Sequence, residues 1–431
     1  MFDEMDRVKK YELFFIVGLA IAFITYTLVI YYGNLDTEVM RDRYWKDVYP
    51  LFHGEVPIME YPPFSLVFMA IPYLFAQDPF GYNAAYVAET YVFTIIGMIL
   101  IRRITEHYGV DQVKGMALYS VLMLMFLEFV TDRYDIFPAV LSLAAFYLLI
   151  TKRTAFAFVL LAIGMMTKLY PAMYLLLFLM VYIIERDWKG ALSGLFWFIV
   201  GTLAILIPVM LIEPDMIYYF LGYHSDRPLE IGSVAATLIY PFSMIGLTDV
   251  WILPATAEGS FGSDNLMGDV PDAVASILMP IMCIVLITIV LFYGHIRNGK
   301  HRCDERLFLM CSAILAMTLG FIVFGKVFSS QYLIWAVPFY TLVVLMSPNK
   351  PFRDRLMWIT ILSFILTQIN FTYIFGFLGG GTSYDDITMI SMLIRNLMTV
   401  VTMAMVLQEM WRIHKEGFSG EEKGTDFEFT C

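Results

Sequence analysis

The residues able to do chemistry in this chain are few, and they fall in short polar breaks between long apolar runs. Four breaks stand out: Asp132-Arg133-Tyr134-Asp135, Thr167-Lys168-Leu169-Tyr170-Pro171, His224-Ser225-Asp226-Arg227-Pro228 and Ser329-Ser330-Gln331-Tyr332. An earlier polar stretch carries Asp36, Glu38, Asp42, Asp47, Glu55 and Glu60. Ionisable groups at membrane depth are costly, so a lysine between two apolar stretches has either a partner or a task. Lys168 can simply snorkel to the interface; the task it suits is holding a phosphate group there. Arg133 could do the same, or close a tight turn with the aspartates around it. His224 and Arg227 are two further phosphate or sugar ligands in an acidic stretch. Gln331 and Tyr332 suit sugar hydroxyls, although a tyrosine at a helix start is also an ordinary interfacial anchor. Any carboxylate of the first stretch could take a proton from an acceptor hydroxyl as a general base.

Other toolkits are missing from the sequence. It contains no His-Glu-x-x-His pair, no phosphate-binding Walker loop and no serine or cysteine nucleophile motif. The four cysteines have no metal-ligand spacing. The expectation is an enzyme without metal or cofactor, working with carboxylates and cations.

These breaks must be positioned by helices. Of 431 residues 59% are hydrophobic and 16% charged, against about 25% charged in an ordinary soluble domain. Apolar runs of about 15 to 25 residues recur along the chain, the length that crosses a bilayer as helix. They lack the period-two alternation of a barrel strand. The predicted fold is an all-α polytopic membrane protein with about twelve spans. Spans are expected at 13–32, 82–101, 115–130, 136–150, 154–166, 170–184, 191–212, 273–296, 307–324, 332–346, 356–377 and 387–410. The first is an uncleaved signal anchor, and 154–184 reads either as two short helices or as one long one.

Charge chooses between those readings. Short cytoplasmic loops collect Lys and Arg. Arg102-Arg103 to Lys114, Lys152-Arg153, Arg186 with Lys189, Arg297 to Arg306, Lys350 to Arg355 and Arg412 with Lys415 all share a side with Lys9-Lys10 only if 154–184 crosses twice. The segment 62–75, opened by Glu60-Tyr61-Pro62-Pro63, must then lie in the outer leaflet as a juxtamembrane helix. The alternative gives 62–75 a full crossing and moves Arg102-Arg103 outside. With the first arrangement both termini are cytoplasmic, the acidic tail 411–431 included. The loops 33–81 and 213–272 face outward, together with all four breaks. The formal charge of −11 comes largely from these two loops and the tail, and no basic stripe with interleaved aromatics suggests nucleic acid.

An outward-facing enzyme of the cell membrane has no cytosolic nucleotide sugar within reach. A sugar carried on a lipid phosphate fits: the lipid lies between helices, and the phosphate both binds the cations and leaves readily. One carboxylate base and cationic stabilisation of the departing charge then suffice, and single displacement inverts the anomeric centre.

The blocks themselves resemble a known family. Tyr44 and Gly54 followed by Glu60-Tyr61-Pro62-Pro63, then Arg133-Tyr134-Asp135-Ile136-Phe137-Pro138, Thr167 to Pro171, Asp226-Arg227-Pro228-Leu229-Glu230-Ile231-Gly232-Ser233 and Ser329 to Trp335 are similar, in order, to the signature blocks of GT-C glycosyltransferases, closest to family 87. The resemblance implies a GT-C fold, a polyprenyl-phosphate sugar (mannose) donor, a lipid- or glycan-linked acceptor and an essential Asp in the first outer loop. That Asp is expected about one turn before Tyr44, where this chain has Met40, leaving Asp42, which is preferred, and Asp36 on either side. Lys168, Arg227 and Gln331 match other polar positions, and Arg133, Asp135, Tyr170, His224, Tyr332, Glu60 and Tyr61 complete the donor-binding set. The rival expectations are a secondary transporter or flippase, which would place its charges near the midplane, and a non-catalytic scaffolding protein.

Overall fold

The computed structural model describes residues 2–32, 43–299, 301–374 and 384–418. In chain order its helices are α1 (Phe2–Tyr32), α2 (Arg43–Val48), α3 (Ser65–Tyr73), α4 (Pro79–Tyr108), α5 (Gln112–Met125), α6 (Leu127–Asp132), α7 (Ile136–Ile150), α8 (Thr154–Thr167) and α9 (Tyr174–Ile184). They continue as α10 (Trp188–Ile212), α11 (Pro214–Asp226), α12 (Val234–Met244), α13 (Asp269–Arg297), α14 (Cys303–Phe324), α15 (Leu333–Met346), α16 (Lys350–Ile374) and α17 (Asp386–Glu416). Six of these, α1, α4, α10, α13, α14 and α17, are long and apolar enough to cross a membrane. The others that carry predicted spans are shorter or more polar. The span expected at 115–130 is divided at Phe126, whose backbone leaves the helical region.

Helix starts follow side-chain chemistry. Asp78, Asp111, Asp187, Ser233 and Asp385 each accept from a backbone N–H of the first turn, satisfying donors that have no intrahelical partner. The site-bearing breaks follow backbone chemistry instead. Arg133, Lys168 and Ser329 are all extended, and Pro171 lacks the N–H that would continue α8 into α9. The chain reverses there. Thr154 and Tyr182, at opposite ends of the 154–184 segment, join their hydroxyls at 2.7 Å, and the Phe158 ring meets Phe178. The segment is a helical hairpin with Lys168 at its turn. Gly194 lets α10 close on this hairpin, because a Cβ there would strike the Phe158 ring.

Charges separate to the two ends of the bundle. Arg102 pairs with Glu12 at 3.4 Å, Arg297 with Glu185 at 3.1 Å and Arg412 with Glu409 at 2.7 Å. The Tyr108 hydroxyl donates to the Asp304 carbonyl at 3.0 Å at this same end. Helix α4 spans 30 residues, about 45 Å, between that contact and Tyr82 and Tyr86 at the other end. Helix α3, with nine residues, rises only about 13 Å, less than half of a hydrocarbon core. It hangs beside α4, where the Tyr82 hydroxyl donates to the Met69 carbonyl at 2.8 Å.

One expectation needs correction: the chain is not wholly α-helical. Strands β1 (Trp251–Leu253) and β2 (Asn265–Met267) pair antiparallel within 213–272, with Ile252 opposite Leu266. Three-residue strands are too short for a period-two pattern to show in sequence. The segment is also not an open loop, since α11 and α12 fold within it. Helices α12 and α17 pack together through Asn396, whose amide donates to the Gly232 carbonyl and to the Thr237 hydroxyl.

Candidate active site

Asp135 is the centre of the constellation. Its side chain is only 1% exposed, and a carboxylate so placed must be matched by charge and hydrogen bonds. Both come to one oxygen: Lys168 Nζ and Trp335 Nε1 each donate to Oδ1 at 2.6 Å. The other oxygen, Oδ2, is buried with no protein partner. The ammonium of Lys168 stands 4.7 Å from the Tyr134 ring and 5.0 Å from the rings of Tyr332 and Trp335. Aromatic faces attract a cation, so three rings and a carboxylate fix its position. Trp335 is clamped in turn, stacked on Tyr170 and on Tyr332 at 4.0 Å each. Three breaks, α6–α7, α8–α9 and α14–α15, thus converge on one charge pair.

The block from Asp226 to Ser233 supplies the next layer. Glu230 receives the Phe328 N–H at 2.7 Å, and its own N–H goes to the Lys326 carbonyl at 3.0 Å. Burial pushes its carboxyl up, while Arg227, the Phe328 amide and Arg395 draw it down. Arg395, 1% exposed, covers the Phe328 ring at 4.0 Å and donates to the Gly232 carbonyl at 2.9 Å. Glu230 thus ties the block that carries Arg227 to the segment that carries Lys326. Burial first, and then Arg227, Lys168 and Lys326, hold the His224 imidazole down to about 4. It is therefore neutral at physiological pH, within electrostatic reach of three cations. Lys326 is itself drawn down by burial and Arg227, against Asp226. A cationic corner of this kind suits a phosphate dianion.

Tyrosines form the facing wall. Tyr61 packs at 4.7 Å on Tyr134, and Tyr44 lies 6.4 Å from Tyr61, 6.0 Å from Tyr134 and 5.3 Å from Tyr86.

The structure therefore gathers Asp135, Lys168, Tyr170, His224, Arg227, Tyr332 and Tyr61. Arg133 turns away and pairs with Asp132 at 3.3 Å. The local ion pair expected as its alternative role therefore forms, with Asp132 alone, because Asp135 belongs to Lys168. Glu60 and Gln331 are half-buried beside the site. Asp36 and Asp42 lie outside the described residues. Sequence reasoning gave no role to Trp335, Glu230 or Arg395. For Arg395 the signal was present, an arginine inside an apolar span; for the other two only the fold supplies it.

No curated protein matches this chain. The model for glycosyltransferase family 87 matches residues 60–325, well over half of the sequence. That range takes in Asp135, Lys168 and Arg227 and stops before Gln331 and Trp335. The chain thus belongs to glycosyltransferase family 87 and is a membrane glycosyltransferase.

Proposed function

We propose that the enzyme transfers a sugar, mannose in our reading, from a polyprenyl-phosphate donor to a lipid- or glycan-linked hydroxyl, with inversion. The transfer takes place on the non-cytoplasmic face of the cell membrane, within a GT-C fold whose termini are cytoplasmic. The donor phosphate sits against Lys168, Arg227 and Lys326. Asp42, with Asp36 as the other candidate, takes the acceptor proton. The acceptor oxygen then forms its bond to the anomeric carbon as the bond from that carbon to the phosphate oxygen breaks. Polyprenyl phosphate leaves with its charge held by the cations. Family membership in a glycosyltransferase class replaces the transporter, flippase and scaffold alternatives.

The observation that supports this reading is Lys168, paired with Asp135 and ringed by Tyr134, Tyr332 and Trp335 at the turn of its hairpin, opposite the end where Arg102, Arg297 and Arg412 pair. Purified protein in lipid, given radiolabelled polyprenyl-phosphate-mannose and a cell extract, is expected to label a glycolipid or glycan with the anomeric configuration inverted. Retention of configuration, or no transfer from this donor while another lipid-linked sugar is used, overturns the mechanism or the sugar assignment respectively.

His224 makes a pH prediction. Its folded value lies below the unfolded one near 6.5, so between about 4 and 6.5 the unfolded chain binds the extra proton. The His224 contribution to stability is complete above about 6.5 and is lost as pH falls toward 4. Melting curves of the parent and His224→Gln should converge on acidification, and the variant should add no new limb to the activity profile between about pH 6.5 and 8.

A further inference from the structure

Beyond the tyrosine wall lies a second polar corner that the donor reading leaves without a task. Tyr86 is 3% exposed and Tyr134 1% exposed, and neither hydroxyl has a protein partner. Glu89 follows Tyr86 by one turn on α4, and both of its carboxylate oxygens are buried without a hydrogen bond. On α6, Glu128 Oε1 is stranded in the same way, one turn before Asp132. Electrostatics ties these groups together: Tyr86 is within reach of Glu89 and Asp132, and Tyr26 on α1 is within reach of Glu128 and Asp132. Buried polar atoms are nearly always paired, and each one left alone costs about 1–3 kcal/mol. Four such atoms, the Tyr86 hydroxyl, both Glu89 oxygens and Glu128 Oε1, on the contacting helices α4 and α6 call for a hydrogen-bonding ligand.

Hydroxyl groups suit these atoms. Carboxylate oxygens accept from sugar hydroxyls, tyrosine hydroxyls both donate and accept, and aromatic faces cover the apolar face of a sugar ring. The order along the site is also informative. From Lys168, Tyr134 lies at 4.7 Å, Tyr44 is 6.0 Å beyond that, and Tyr86 is a further 5.3 Å on. Lys168 thus stands at one end of a tyrosine-lined path; at the other stand the Glu89 and Glu128 oxygens that lack a hydrogen bond, with Arg133, paired to Asp132, as the nearby cation. Among the described residues no three metal-binding side chains group together, so a polyhydroxylated ligand fits this corner better than a cation.

We propose that Tyr86, Glu89 and Glu128 form the acceptor subsite and bind the hydroxyls of a carbohydrate acceptor. Tyr44, Tyr61 and Tyr134 form the platform between this subsite and the donor phosphate. The assignment rests on the transferase reading, and it adds which residues select the acceptor and that the acceptor presents a sugar rather than a bare lipid alcohol.

Tyr86→Phe and Glu89→Gln keep the side-chain shape, and their melting temperatures report whether the fold is kept. At saturating donor, each is expected to raise the acceptor KM about tenfold or more, since an unmatched polar contact is worth that much, while the donor KM stays within twofold. Equal rises in both KM values, or an unchanged acceptor KM, overturn the proposal. A donor-free arm separates it from the transferase reading: calorimetric binding of an alkyl mannoside to the parent protein, weakened in Glu89→Gln and Glu128→Gln, while polyprenyl phosphate binds as before. If the parent transfers nothing, the donor reading fails, and this arm still decides the subsite. Equal mannoside binding by parent and variants sinks it, and so does binding restored to both only by a divalent ion.

Discussion

Lys168→Met lowers transfer by a factor of about 10² to 10³ and destabilises the fold by about 3–5 kcal/mol, the sizes expected for a lost transition-state cation and for a broken buried ion pair. Two consequences are expected because the lysine has two duties. It neutralises Asp135, which is 1% exposed and, among the described residues, pairs with no other cation, and in the proposed reaction it faces the departing phosphate. Adding Asp135→Asn separates them. In the double variant the carboxylate is gone, Trp335 still has an oxygen to donate to, and the melting temperature should recover most of the loss. Transfer should stay low, because no charge has returned to the site. A double variant that recovers both would reduce Lys168 to a structural counter-ion and leave the phosphate to Arg227 and Lys326.

The second large effect concerns the base. Asp42→Asn should cut kcat by about 10² to 10⁴, the range for a positioned general base, with donor binding unchanged. Asp36→Asn should do much less. Asp42 stands two residues before Tyr44, whose ring reaches Tyr134 at 6.0 Å, whereas Asp36 stands eight residues before it. The test is single-turnover transfer with donor preloaded, alongside direct donor binding. If Asp36→Asn shows the larger loss, the two assignments exchange. If neither variant loses more than about tenfold, neither Asp36 nor Asp42 is the base.

Much of this architecture was legible because lipid leaves the backbone so few choices. Apolar length pointed to a mostly helical membrane protein, and the Lys/Arg bias to a 154–184 segment that turns at Lys168. What was not legible was partnership across the bundle. Asp135 and Lys168 are 33 residues apart, so proximity in sequence, which does pair Arg133 with Asp132, could not show that Asp135 belongs to Lys168. Trp335 was visible only as part of a block, since its N–H finds Asp135 across 200 positions. The small hairpin at Trp251 was hidden because it is ordered by tertiary contacts, such as the Leu266 N–H to the Leu229 carbonyl, and not by a pattern of its own. Arg395 was hidden in the opposite sense: its letter was conspicuous, and the apolar run around it was read through.

The strap from Arg395 and Asn396 to Gly232 also bears on biogenesis. The block that carries Arg227 is synthesised about 160 residues before the α17 side chains that pin it. During insertion the emerging polypeptide passes through every earlier helix with that block untethered. The strap can close only after α17 docks, so a chain terminated before residue 395 leaves the Arg227 block without the hydrogen bonds that tie Gly232 to Arg395 and Asn396.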